Sequence, residues 1–197
     1  MKRAGETTSA SITQHILQAD AHFQPAMTEL RPGCFIPDLP FYGYGTYAPT
    51  GENLLAGLFL AAYEVNIASL GVYIATPASE GKSLRLGIYR AGADLYPEGL
   101  KLDAGLIAAS GSGFKTLTVN HHLKRGYYYL AVHMEESCEL RYVKLAQSPL
   151  GKYSSLNAVY SGYGSAAEWG ALPAKFPRNA MLSNVMKVAV AITMEAL

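Results

Sequence analysis

Ser83-Leu84-Arg85-Leu86-Gly87-Ile88-Tyr89-Arg90 is the stretch on which the fold turns. Leu84, Leu86 and Ile88 fall on one side of an extended chain; Ser83, Arg85 and Tyr89 fall on the other. That period of two is what a β-strand imposes. Gly126–Met134 repeats it, with Tyr128, Leu130, Val132 and Met134 on the core face and Tyr127 and Tyr129 on the outer face. So does 184–195, where Met186, Val188, Val190, Ile192 and Met194 oppose Lys187, Ala189, Ala191 and Thr193, a set small enough to lie under another layer. Further strands fit 65–75 (Leu70, Val72, Ile74), 102–108 (Leu102, Ala104, Leu106) and 114–119 (Leu117, Val119). Residues 139–146 change phase between Tyr142 and Val143, which suggests a bulge. Residues 53–63 also suit a helix through Leu54, Leu55, Leu58 and Phe59, but Gly57 in the middle weakens a helix and favours a strand.

Turn signals separate these runs: Glu80-Gly81, Pro97-Glu98-Gly99, Gly111-Ser112-Gly113 and Arg125-Gly126. Short strands at this spacing, about eight of them with no helical pattern between, predict an all-β, antiparallel β-sandwich of jelly-roll type. The sandwich domain is placed at 53–197. Residues 1–52 read as an extended N-terminal arm for docking or oligomerisation. Ile12, Ile16 and Leu17 there have the spacing of a short helix, and prolines 32, 37, 40 and 49 break both ladders and helices. A long irregular loop, 147–183, rich in Gly, Ser, Tyr, Ala and Pro, precedes the last strand; loops of that length usually carry function or pack on a partner.

Composition narrows the class. Half of the 197 residues are hydrophobic and 16% are charged, so the chain has a core and is not disordered. A net charge of +1 gives no support for a nucleic-acid or anionic-membrane partner. Cys34 and Cys138 lack the paired spacing of a zinc site, and each is read as a free buried thiol, with a disulfide the alternative. Residues 1–20 lack the apolar core of a signal peptide, and the longest apolar run, 54–63, is far short of the roughly 20 residues that span a bilayer. The expectation is synthesis in a cytoplasm, with no membrane association.

Few residues suggest chemistry. His121-His122, read as lying in the turn before Arg125-Gly126, would point to opposite faces on a strand and make a poor chelate. His133 reads as a surface or edge histidine. Glu135 and Glu136 are adjacent and cannot easily flank one glycosidic bond. Neither 111–113 nor 161–165 carries the Lys-Ser/Thr of a phosphate loop, and nothing marks Cys138 as a nucleophile. The expectation is a protein without enzymatic activity, cofactor or metal. The aromatic residues say more. Phe41, Tyr42, Tyr44 and Tyr47 form one cluster; Tyr160, Tyr163 and Trp169 lie in the long loop near Tyr153. Such rings cap a sandwich core, form a protein interface, or stack on sugars, and these seven are the candidate interface or ligand-binding residues.

The order of several spaced motifs resembles a β-sandwich module of tailed-bacteriophage virion proteins. Ser83-Leu-Arg-Leu-Gly-Ile-Tyr-Arg-Ala91 is followed by Tyr96-Pro97-Glu98-Gly99, by Leu102-Asp103-Ala104-Gly105 and by the glycine-led strand Gly113-Phe-Lys-Thr-Leu-Thr-Val119. It closes with Arg125-Gly126-Tyr127-Tyr128-Tyr129-Leu130-Ala131-Val132. There Arg125 stands where the module has proline, and Tyr129 where it has tryptophan. Upstream, Leu60-Ala-Ala-Tyr63 and Ile67-Ala-Ser-Leu-Gly-Val72 resemble its first strands. The similarity runs from about Phe41 to Met134. It implies a tail, fibre or capsid-associated component located in a virion, whose partners are other virion proteins and further copies of itself. Recognition of a host surface glycan is the alternative.

Overall fold

The computed structural model describes residues 35–36, 41–61, 64–145, 153–155, 158–159, 162–183, 187–188 and 191–195. Side chains are described at 45–61, 64–142 and 162–180. No helix occurs among the described residues. The strands are β1 (Phe35–Ile36), β2 (Phe41–Tyr47), β3 (Asn53–Ala61), β4 (Val65–Thr76) and β5 (Ser83–Ala91). Then come β6 (Pro97–Ala108), β7 (Gly113–Leu123), β8 (Gly126–Met134), β9 (Glu139–Leu145) and β10 (Tyr153–Ser155). The last are β11 (Ala158–Val159), β12 (Gly162–Ala166), β13 (Met181–Ser183), β14 (Lys187–Val188) and β15 (Ala191–Glu195).

The pairing is nested. Strand β5 pairs with β6, β4 with β7, β3 with β8 and β2 with β9, all antiparallel. The chain from β2 to β9 is thus one long hairpin, folded over itself. Its two halves are stitched by β5·β8 and β4·β9. The result is two sheets, ordered β2-β9-β4-β7 and β3-β8-β5-β6, packed face to face: the jelly roll. The first sheet also takes β1, β14 and β15; the second is extended past β3 by β12 and β13. Strands β10 and β11 form a separate two-stranded ribbon.

The alternation read from the sequence places the inner core. Leu84, Leu86 and Ile88 of β5, Leu130, Val132 and Met134 of β8, and Phe59 of β3 are buried from the second sheet. Leu70, Val72 and Ile74 of β4 and Leu140 of β9 are buried from the first. Each such side chain contributes about 1.5–3 kcal/mol relative to exposure. In β4 the buried set shifts from Ile67 to Leu70, an odd-to-even step. The ladders to β7 and to β15 both slip there, so a bulge restores the inward face.

Several elements differ from the sequence reading. Phe41–Tyr47, assigned to the arm, is the first strand of the roll. Gly45 explains the fit: a Cβ there would sit 2.3 Å from the Tyr142 ring of the neighbouring strand. The pairing of β9 runs unbroken through Arg141, Tyr142, Val143 and Lys144. The register shift lies in β2, between Phe41 and Gly43, rather than in β9 at Tyr142. Pro97-Glu98-Gly99 is not a turn but the start of β6. Proline is tolerated there because it opens the strand. Strand β7 runs on through His121 and His122, because Ile67, Asn66 and Val65 continue the ladder beyond the bulge. The single strand expected at 184–195 is represented by β14 and β15, on different partners. The helix considered near Ile12 and the thiol of Cys34 lie outside the described residues.

Candidate functional site

Strands β12 and β13 form a hairpin, Gly162 opposite Ser183 and Gly164 opposite Met181, on the outer flank of β3. The segment between them, 167–180, leaves and returns at neighbouring points, as an Ω-loop does. It does not stay at the flank. It crosses the outer face of the second sheet and reaches the far edge strand, β6. Leu100 N donates to Ala174 O at 3.0 Å, and Phe176 N donates to Glu98 O at 2.8 Å. This strap therefore satisfies part of an edge that would otherwise offer free backbone groups.

A second, smaller core lies beneath the strap. Leu54, Ala56 and Leu58 of β3, Tyr129 and Ala131 of β8, Tyr89 of β5 and Tyr163 of β12 close over Leu172 and Phe176. Gly87 makes the seat for Leu172: a Cβ at 87 would lie 2.2 Å from the Leu172 Cδ1 and 2.6 Å from the carbonyl oxygen of Leu102. Phe176 stacks edge-on against Tyr89 (centroids 5.2 Å) and Tyr96 (6.3 Å). Tyr163 packs on Tyr96 at 4.5 Å and Tyr129 at 5.9 Å.

The phenols fasten loops. Tyr89 Oη donates to Pro173 O at 2.9 Å, and Tyr96 Oη donates to Pro177 O, both on the strap. Tyr129 Oη donates to Leu95 O, in the β5–β6 turn, where Leu95 takes the left-handed φ of 56°. Desolvation raises the pKa of Tyr89 and Tyr129 well above the ordinary tyrosine range, so both stay protonated donors. Arg178 holds the far end of the strap, at 3.3 Å from Asp94 and 3.5 Å from Glu98, with its guanidinium 5.0 Å from the Tyr96 centroid. The Asp94 carboxyl is lowered, first by the backbone N–H of Tyr96 and also by Arg178. Arg85 and Asp103 form a 2.7 Å ion pair, and Asp103 accepts from the Leu172 N–H at 3.3 Å.

His133, expected at the surface, is 0% exposed. The alternation put it on the outer face of β8 correctly, but the root of the strap covers that face. Its Nε2 lies 3.1 Å from Ala167 O, and Trp169 packs on its ring at 5.1 Å. Of the seven aromatic candidates, Tyr163 and Trp169 meet this face. They do not make an exposed platform, since Tyr163 retains 7% of its surface and Trp169 is half-buried against His133. Tyr47 is half-buried at the end of β2. Phe41, Tyr42 and Tyr44 lie on β2 with side chains outside the described set, and Tyr160 is outside the described residues. The clasp residues Gly87, Tyr89, Tyr96, Tyr129, Leu172 and Phe176 were not singled out as a site. A glycine inside an apolar strand, a sign of close backbone approach, was the signal available.

At the loop end of the roll, Glu135, Glu136 and Glu139 act as staples. Glu135 takes Lys82 Nζ and Ser83 N, each at 3.0 Å; Glu136 takes Ser79 N at 3.0 Å and Ser79 Oγ at 2.6 Å. Glu139 takes Thr76 Oγ1 at 2.6 Å. His122 bonds Asn66 at 2.9 Å with Glu64 at 3.6 Å, on the exposed face of β7 opposite to that of His121. Cys138 is a buried free thiol whose pKa is pushed up to about 11 by burial.

No protein-family model matches the chain, and no curated protein matches it at a significant level.

Proposed function

We propose that this chain is a non-enzymatic structural protein of a bacteriophage or phage-like particle, serving in its tail, fibre or head and contributing to assembly or host attachment. One observation carries the reading: the side chains best able to do chemistry on the strap face are committed to holding loops. Tyr89, Tyr96 and Tyr129 hydroxyls end on backbone carbonyls, the Arg85–Asp103 pair carries the strap, and His133 is sealed beneath it. The jelly roll, used by capsid and lectin domains alike, agrees with this reading without selecting it. The motif order from Ser83 to Val132 adds the phage class. A glycan-binding role through Tyr160, Tyr163 and Trp169 has less support, because Tyr163 is held inside the clasp.

The test is quantitative mass spectrometry of salt-washed particles from the source of the gene. A fixed stoichiometric copy number is expected, and absence of the protein from washed particles refutes the proposal. A truncation lacking residues 1–34, which spares β2, then tests docking: the roll should fold while incorporation is lost.

A further inference from the structure

Beneath the root of the strap, two buried polar atoms, Arg85 Nε and His133 Nδ1, have no hydrogen-bond partner among the described residues. Arg85 and His133 are directly opposed on the paired strands β5 and β8, so both side chains rise from the same face. One other nitrogen of each is engaged. Arg85 Nη1 bonds Asp103 at 2.7 Å, and His133 Nε2 faces Ala167 O at 3.1 Å. A carbonyl oxygen only accepts, so Nε2 carries the proton and donates. In the neutral ring Nδ1 then presents a lone pair. On the directly opposed residue, Arg85 Nε–H carries a buried proton that also needs an acceptor.

We infer that one water molecule is bound between Arg85 Nε and His133 Nδ1 as a permanent part of the outer core. The chemistry selects water. Its oxygen accepts from Arg85 Nε–H while one of its hydrogens donates to His133 Nδ1, so both atoms are satisfied at once. A chloride ion would meet the Nδ1 lone pair, and an apolar filling would leave both groups bare. Buried waters of this kind settle where two to four polar partners converge. The water locks His133 in the Nε2–H tautomer, and that tautomer holds Ala167, the first residue of the strap. Strand β5, strand β8 and the strap root are thereby joined through one solvent molecule.

The experiment is NMR of the full-length ¹⁵N-labelled protein. Long-range ¹⁵N–¹H correlations of His133 read the tautomer. Water-selective NOEs read a long-lived water at the Arg85 Nε–H. An Nε2–H tautomer together with a direct water NOE supports the site. An Nδ1–H tautomer, or an Arg85 Nε–H that shows no water NOE, overturns it. A crystal structure showing direct contact between the two nitrogens, or an anion between them, also overturns it. His133→Phe should abolish the NOE and accelerate exchange of the Leu172 and Phe176 amides about tenfold. If that variant does not fold, the wild-type measurements still decide.

Discussion

Gly87→Ala should unseat the strap. The added methyl carbon would stand 2.6 Å from the backbone carbonyl of Leu102 and 2.2 Å from the Leu172 Cδ1. The leucine tip can swing away, but the carbonyl belongs to the adjacent strand and cannot move without shifting β6. Overpacking of this kind costs about 1–3 kcal/mol, and partial expulsion of Leu172, which is 4% exposed, forfeits part of the roughly 1.5–3 kcal/mol of its burial. The expected loss is about 2–4 kcal/mol, or roughly 5–15 °C in Tm for a domain of this size. Leu172→Ala alone should cost about 2–5 kcal/mol. The double variant should be less destabilised than the two added together, by about 1 kcal/mol or more, because one of the two clashes is gone. Urea titrations should be followed by far-ultraviolet circular dichroism and by the fluorescence of Trp169, the single tryptophan, at the strap root. A Gly87→Ala protein as stable as wild type, or strictly additive losses, would refute the seat.

Further outcomes follow from the same geometry. Tyr129→Phe leaves Leu95 O without its donor and should cost about 1 kcal/mol by chemical denaturation. Because burial raises the folded-state pKa of Tyr89 and Tyr129, their contribution is complete below the unfolded tyrosine pKa of about 10 and falls as pH rises beyond it. An alkaline scan should therefore show the last part of the tyrosinate absorbance, that of the buried tyrosines, appearing only with unfolding; ionisation of all tyrosines in a folded protein would contradict this. Cys138, with its thiol raised to about 11, should resist a disulfide reagent at pH 8 in a Cys34→Ser variant until denaturant is added. The carboxyls of Asp94, Glu136 and Glu139 are lowered by hydrogen bonds, so what they contribute is present above about pH 4.5 and is lost as pH falls below it. Weakening of the loop staples should register in an acid scan. Glu52, at a φ of 56°, should accept glycine with a change between zero and a gain of about 1 kcal/mol in Tm-derived stability.

Much of the roll was legible because its inner face obeys a local rule. Leu84, Leu86 and Ile88 announce their strand by alternation alone, and Gly57 was enough to favour strand over helix for 53–63, where β3 covers Asn53–Ala61. What alternation cannot show is whether the other face meets water. Tyr129 and His133 were placed on the outer face correctly, yet both are buried, because residues 167–180 arrive from more than thirty positions downstream to cover them. Tyr163 is withdrawn from the surface for the same reason: it belongs to a clasp whose other rings, Tyr89, Tyr96, Tyr129 and Phe176, come from separate segments. Strand β2 was hidden by its two glycines and by the prolines that flank it at 40 and 49, a pattern that resembles an arm until Tyr142 is known to lie against Gly45.

The nested pairing also sets an order of events in time. Within the β2–β9 nest, only β5·β6 joins near neighbours in the chain; each pair outside it encloses a longer span, out to β2 and β9. Closing an outer pair first would tie off the whole enclosed length for little return, whereas each inner pair shortens the gap left for the next. Folding is then expected to zip outward from the β5–β6 turn, slowly for a chain so rich in distant contacts. A ribosome-bound chain would hold β2 unmatched until β9 emerges, and the strap could settle only afterwards.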